Sequence, residues 1–246
     1  MKVPVLSPRL KKIADSVGTA DNIADVGTDH GLLPAYLLVK EMVRHAYASD
    51  INEGPLTAAK RTLSSFGVSD KADLILCDGL TDVLRFNPEK IVIAGMGGET
   101  IAGILEPLKK TTELSPSLFL QPMSKKEKVR ECLYDLGYTI DKELLCGEDD
   151  RIYNIIIASR NDGTADSPRK DDVMLYIGDI DRSDEESAEL EKEYLSRLLE
   201  KTEKRYKGLK ASDKSDKGEM EFSYRCLCEL KSRIKRIEAD EERRII

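Results

Sequence analysis

Tryptophan is absent from this 246-residue chain, histidine occurs only twice, and aromatic residues reach only 5%. Two histidines leave little nitrogen for a metal centre. The five cysteines (Cys77, Cys132, Cys146, Cys226 and Cys228) include no C-x-x-C pair, and their number is odd. That spacing argues against a zinc site or a disulfide framework and fits reduced thiols. An excess of positive charge is also missing. Lys and Arg total 39 against 46 Asp and Glu, a formal net charge of -7. No global basic field therefore advertises nucleic acid, although a local basic stripe remains open. No apolar run approaches membrane-spanning length. The stretch "MKVPVLSPRLKKIADSV" holds no apolar segment suited to a signal peptide. The expectation is a soluble cytoplasmic protein with no membrane partner.

What is present is alternation. Short apolar runs with strand character, "NIADVG", "HAYASD", "ADLILCD", "KIVIAGM", "SLFLQP" and "RIYNIIIAS", extend to about residue 160. Helical patterns separate several of them: "LPAYLLVKEMV", "GPLTAAKRTLSSFG", "GETIAGILEPLKK" and "KKEKVRECLYDLG". Strands alternating with helices of this length predict an α/β domain built of parallel βαβ units, its sheet covered on both faces. The polar stretch "SRNDGTADSPRKDD" reads as a linker. Beyond it, two helical patterns cover about 184–210 and 217–244. Leu195, Leu199, Thr202, Tyr206 and Leu209 recur at steps of four and three, as do Leu227, Leu230, Ile234 and Ile237. That spacing predicts a coiled-coil seam in an antiparallel helical hairpin. The expected domains are 1–160 and 161–246.

The densest polar chemistry follows the first strand, in "ADVGTDHG". Ligands of open α/β sheets bind outside the carboxyl ends of the strands. The dinucleotide fingerprint G-x-G-x-x-G is absent, and Asp29 stands where its second glycine would be. A carboxylate there suits a cation and not a pyrophosphate. The second strand ends at Asp50, placed to accept from ribose hydroxyls; the third ends at Asp78, placed to accept from a purine amine with Leu80 near its face. Each acid also has a plain structural reading: Asp25 as a cap for its turn, Asp50 as a cap for the helix near Pro55, Asp78 as a turn residue. Together they describe a site for S-adenosylmethionine, a nucleoside with an ammonium, a sulfonium and no phosphate. A metal site formed by His30 with Asp25, Asp29 and Asp50 is disfavoured, since only one nitrogen is on offer. His45, at the start of its strand, reads as structural.

"IADVGTDHGLLPAYL", "SDINEGPLTAAK", "CDGL" and "IVIAGMGGETIAGIL" resemble the bacterial tRNA (adenine-22-N1)-methyltransferases. The resemblance runs from "LSPRLKKIADSV" through "RIYNIII", about two thirds of the chain. It implies a class I methyltransferase (Rossmann-like) fold with seven strands, the last antiparallel. It also implies S-adenosylmethionine as donor and N1 of a tRNA adenine as acceptor. Carried over, Asp25, Gly27, Asp29 and His30 line the methionine end of the donor. Asp50 and Ile51 hold ribose and adenine, and Asp78 and Gly79 meet the adenine edge. The loop Ala94, Gly95, Met96, Gly97, Gly98 borders the acceptor base. Cys77 and Met123 depart from the family pattern.

Adenine N1 carries a lone pair at neutral pH, so attack needs no general base. Catalysis should come from in-line positioning, worth about 7–11 kcal/mol in the best intramolecular systems. Asp29 would favour the cationic base that develops, and Gly97 would leave room for it. The base must first leave its RNA stack, at a cost of a few kcal/mol. No N-P-P-Y motif supplies a stacking ring after the fourth strand; Tyr36 is one candidate, with a core role as its alternative. Basic residues suited to tRNA phosphates are Arg9 near the N-terminus and Lys201, Lys204, Arg205, Arg233 and Arg236 on the hairpin. Solvation of one helix face or homodimerisation along the seam competes with that role. A noncatalytic RNA-binding scaffold retaining the fold, or an enzyme for another acceptor, is the alternative reading of the whole chain.

Overall fold

The computed structural model describes residues 2–111, 114–160, 171–212 and 216–245. The chain divides into two compact units, Met1–Ser167 and Pro168–Ile246. The expected linker over 159–172 lies largely outside the described residues, as do residues 213–215 of the expected connection over 211–218.

The first unit carries one seven-stranded sheet: β1 (Ala20–Val26), β2 (Val43–Asp50), β3 (Ala72–Leu76), β4 (Lys90–Gly97), β5 (Ser117–Ser124), β6 (Tyr138–Glu148) and β7 (Arg151–Arg160). Their order is β3-β2-β1-β4-β5-β7-β6. β1 to β5 run parallel, and β7 pairs antiparallel with both β5 and β6. The strand order reverses between β1 and β4, which makes their carboxyl ends the crevice of the fold.

Alternate strand residues feed two cores. Ile91 and Ile93 of β4 join Leu118 and Leu120 of β5 beneath Ile101 and Leu105 of helix α4 (Gly98–Leu105) and Val129 and Leu133 of α5 (Lys126–Asp135). Val92 and Phe119 point to the opposite face. There they meet Ile13 of α1 (Pro8–Val17), Leu37 of α2 (Leu32–Val39) and Leu63 of α3 (Glu53–Ser65). A strand buried on both faces must be apolar at every position, which is why these strands read as continuous runs.

Two elements of this unit go beyond the residue patterns. β6 contains Asp141, Lys142 and Glu143 in succession, which breaks any apolar run, and its pairing with β7 shifts register between Ile140 and Lys142. Glu143 is nevertheless buried. Arg130 of α5 donates to it from Nε (3.0 Å) and Nη2 (2.8 Å), and Asn154 Nδ2 donates to the same carboxylate at 3.2 Å. Helix α1 starts where the Ser7 hydroxyl accepts the Leu10 N–H and Pro8 supplies a preset φ; Gly18 ends it with φ +60.

The second unit holds α6 (Asp172–Ile177), α7 (Glu185–Ala211) and α8 (Lys217–Ile245). Lys192, early in α7, pairs with Glu241, late in α8, whereas Arg205, late in α7, pairs with Glu219, early in α8. The two long helices are therefore antiparallel. Of the expected seam, Leu195, Thr202, Leu227, Leu230 and Ile237 are buried; Tyr194 and Cys226 widen it. The short α6 buries Val173, Leu175 and Ile177 and joins Tyr176 to Thr202 by a 3.1 Å hydrogen bond. Six residues are too few to show helical periodicity, so the sequence pattern contains the pair but not this third helix.

Candidate active site

The turn after β1 is fixed by glycine. Gly27 has φ +78, and its N–H and that of Thr28 both donate to the Ser49 carbonyl, at 2.8 and 2.9 Å. A β-carbon on Gly27 would lie 1.9 Å from Met96 Cε across the crevice. Gly31, with φ +64, opens α2; a β-carbon there would come within 2.9 Å of Ala59 on α3. Both positions combine a left-handed backbone with a close neighbour, so the turn needs glycine twice over.

The crevice between the ends of β1 and β4 is a cleft of about 400 Å³. Asp25, Gly27, Asp29 and His30 line one side and Ala94, Gly95 and Met96 the other. Seven of the residues picked out by sequence are thus brought together. Asp25 is 8% exposed; burial pushes its carboxyl up to about 6, with Thr28 pulling it back and the charge of Asp50 adding to the rise. Asp29 stands at the lip, its side chain 79% exposed and 3.3 Å from His30 Nε2. Among the described residues no group of three or more His, Cys, Asp or Glu side chains converges as a metal site requires.

Arg9 is the correction. Expected on the rim for phosphate, it lines the cleft instead. Its Nη1 donates to Gln121 Oε1 at 2.6 Å, and the same oxygen accepts the Gly95 N–H at 3.1 Å. Its backbone N–H donates to Glu148 and its guanidinium lies over the Tyr153 ring, 5.3 Å from the centroid. Arg9 Nε is buried with no hydrogen-bond partner. The cleft thus sets one guanidinium against two carboxylates, which fits a ligand carrying both an anionic and a cationic group. Gln121, fully buried, was not singled out by sequence. Its signal is a lone amide at the end of the apolar strand "SLFLQP".

The remaining residues lie along the strand-end rim, outside the enclosed cleft. The Asp50 carboxylate accepts the Asn52 N–H at 2.8 Å, which closes a local turn but does not cap α3, whose N-cap is Asn52, and a second oxygen remains for a ligand. Ile51 is 61% exposed and Leu76, at the end of β3, 52%. Asp78 is exposed, and Gly79 turns with φ +64 against Ile104. In the loop before α4, Gly97 has an ordinary φ of -64, and a β-carbon there would meet Ser124 and Thr100 only at 3.6 and 3.7 Å. Gly98 is the tight position: a β-carbon would sit 2.1 Å from the Lys125 carbonyl oxygen. Tyr36 is buried in the core, which removes it as a stacking ring, and His45 Nε2 is hydrogen-bonded to the Asp73 carboxylate at 2.9 Å, a structural pair.

On the hairpin, Lys201, Lys204, Arg205 and Arg236 are exposed, Arg205 and Arg236 near Glu219 and Glu229. Arg233 turns inward: its side chain is 14% exposed and donates to the Gly178 carbonyl at 2.8 Å and to Glu229 at 2.9 Å. A guanidinium satisfied in this way holds α6 to α8 and is not free for phosphate. No helix among the described residues is long and apolar enough to cross a membrane.

Residues 6–156 match the methyltransferase domain family. Over 160 residues the chain is 34% identical to the tRNA (adenine(22)-N(1))-methyltransferase of Bacillus subtilis, covering 65% of this chain and 67% of that protein. It belongs to the tRNA (adenine-22-N1)-methyltransferase family. The likeness extends past the sheet. The crystal structure of the B. subtilis enzyme, TrmK, superposes with a TM-score of 0.72 at 26% identity, covering 96% of this chain and 98% of that one. M. capricolum TrmK, solved with the natural cofactor product S-adenosylhomocysteine, gives a TM-score of 0.75 at 26% identity over 94% of this chain and 99% of that one.

Proposed function

We propose that the chain transfers a methyl group from S-adenosylmethionine to N1 of adenine 22 in tRNA. The observation that carries this reading is the cleft at the β1/β4 switch point, where acids and one anchored guanidinium replace a phosphate-binding turn. S-adenosylmethionine supplies a methyl group on a sulfonium, already activated for transfer.

Each residue has a role that its surroundings support. Asp25, ionised above pH about 6, attracts the donor's ammonium. Arg9, held by Gln121, turns its guanidinium toward the donor carboxylate. Gly27 lets the ligand approach the backbone, and His30 closes the same wall. The free Asp50 oxygen accepts from ribose, Ile51 and Leu76 cover the adenine faces, and Asp78 and Gly79 meet its amine edge. Ala94, Gly95 and Met96 form the wall facing the methyl group. Gly97 leaves room for the acceptor base, and Asp29 stabilises the positive charge that grows on it, weakly because water surrounds the carboxylate.

Lys201, Lys204, Arg205 and Arg236 are proposed to meet tRNA phosphates, which makes residues 161–246 the RNA-binding part. The setting is soluble and cytoplasmic. Calorimetry with S-adenosylmethionine, paired with tritiated methyl transfer to tRNA bearing adenine or guanine at position 22, tests the reading. Donor binding with transfer only to the adenine form is expected; no donor binding, or equal labelling of both tRNAs, would refute it.

A further inference from the structure

Between α7 and α8 the second unit carries a groove of about 500 Å³ in which aromatic rings and lysines alternate. Tyr206 of α7 and Tyr224 of α8 face each other across it, ring centroids 6.0 Å apart and planes tilted by 40°. Tyr224 is 56% exposed, one of the few large apolar side chains left in water among the described residues. It also forms part of a neighbouring cleft with Arg225 and Ser232, so the ring stands between two recesses. Lys207, Lys210 and Lys231 line the groove around the aromatic pair; among the described residues Lys231 alone of the three is ion-paired, to Glu203 at 3.1 Å.

We propose that this groove takes one unpaired nucleotide of the tRNA substrate, its base stacked on Tyr224 and its flanking phosphates met by Lys207 and Lys210. The proposal rests on tRNA being the substrate. A flat, exposed ring with ammonium groups on its flank matches the two chemistries of single-stranded RNA, a π-face and a phosphate chain. A protein partner would want more apolar area than one ring among three lysines offers. A duplex RNA surface would present no free base to stack. The groove thus reads an unstacked position, which distinguishes a folded tRNA with loops from a plain helix.

The test measures the affinity of fluorescently labelled tRNA for the full chain and its variants across a salt series. Donor affinity by calorimetry serves as the check on folding. Tyr224→Ala should weaken tRNA binding about 5- to 150-fold, while Tyr224→Phe, which keeps the face, should stay near wild type. Lys207→Gln should lower the slope of log affinity against log salt by about 0.7–0.9. Unchanged affinity in Tyr224→Ala, with loss in a Lys201→Gln/Lys204→Gln double variant, would overturn the groove and leave the tRNA reading standing. Unchanged affinity in all of them would overturn both the groove and the hairpin's phosphate contacts, and methyl transfer to tRNA would then decide the substrate reading separately. A sedimenting dimer that becomes a monomer in Tyr224→Ala would show the groove to be a self-association face, and the proposal would fall.

Discussion

Arg9, which lines the cleft, and the fully buried Gln121 are joined across 112 positions of sequence by a 2.6 Å hydrogen bond. The acceptor oxygen also takes the Gly95 N–H, so one amide ties helix α1 to the loop after β4. This bond points the guanidinium into the site and holds the wall opposite Asp25. Arg9→Ala should weaken binding of S-adenosylmethionine about 10- to 100-fold, the scale of a lost charged hydrogen bond. The decarboxylated donor should bind wild type and variant alike. Equal losses for both ligands would assign Arg9 a packing role only.

Asp25 links function and stability with opposite signs. Its carboxyl titrates near 6 in the fold, against an ordinary 3.8. The folded state therefore holds the proton more tightly, and that stabilisation is present below the ordinary value and lost as pH rises through about 6. Above it, the buried charge costs about 3 kcal/mol. Asp25→Asn should be the more stable protein at about pH 8, with the gain vanishing near pH 4. It should also bind the donor far more weakly at about pH 8, and wild-type donor affinity should fall as pH drops through about 6. Thermal unfolding and calorimetry across pH check both halves.

Adjacent glycines should behave differently. Gly98→Ala forces a β-carbon against a backbone carbonyl that cannot step aside, so a loss of about 1–3 kcal/mol is expected in denaturant unfolding. Gly97→Ala has space and an ordinary backbone, so its stability should hold within about 0.5 kcal/mol. Its methyl transfer to tRNA should drop if the acceptor base fills that space, with donor affinity unchanged.

The buried pair beneath the sheet edge is a stability element. Removing one partner strands the other charge, so Glu143→Ala or Arg130→Ala should cost about 3–5 kcal/mol. Glu143→Gln, which keeps the shape and one acceptor oxygen but no charge, should cost less than Glu143→Ala, which leaves a cavity as well. Urea unfolding reads all three variants.

Much of the site was legible because strand-end acids and turn glycines carry their signal in short stretches of chain. Asp25, Gly27, Asp29 and His30 fall together on the wall that "ADVGTDHG" implies. Arg9 was misplaced because its role depends on Gln121 and Gly95, both remote in sequence, and an arginine on an amphipathic helix looks the same on a rim as in a cleft. Gly98 was passed over for Gly97 because what fixes it is the Lys125 carbonyl, again distant. β6 was hidden by three consecutive charged residues, of which Asp141 and Lys142 face solvent and Glu143 is buried against Arg130 and Asn154. Arg233 was grouped with its basic neighbours because nothing in the spacing announces α6, the helix it holds.

The most direct test is position-resolved mass mapping of tRNA incubated with the protein and S-adenosylmethionine. The account predicts a single new methyl group, as 1-methyladenosine at position 22, lost when that position is guanine. A methyl group elsewhere, or unmodified tRNA in the presence of bound donor, would contradict it.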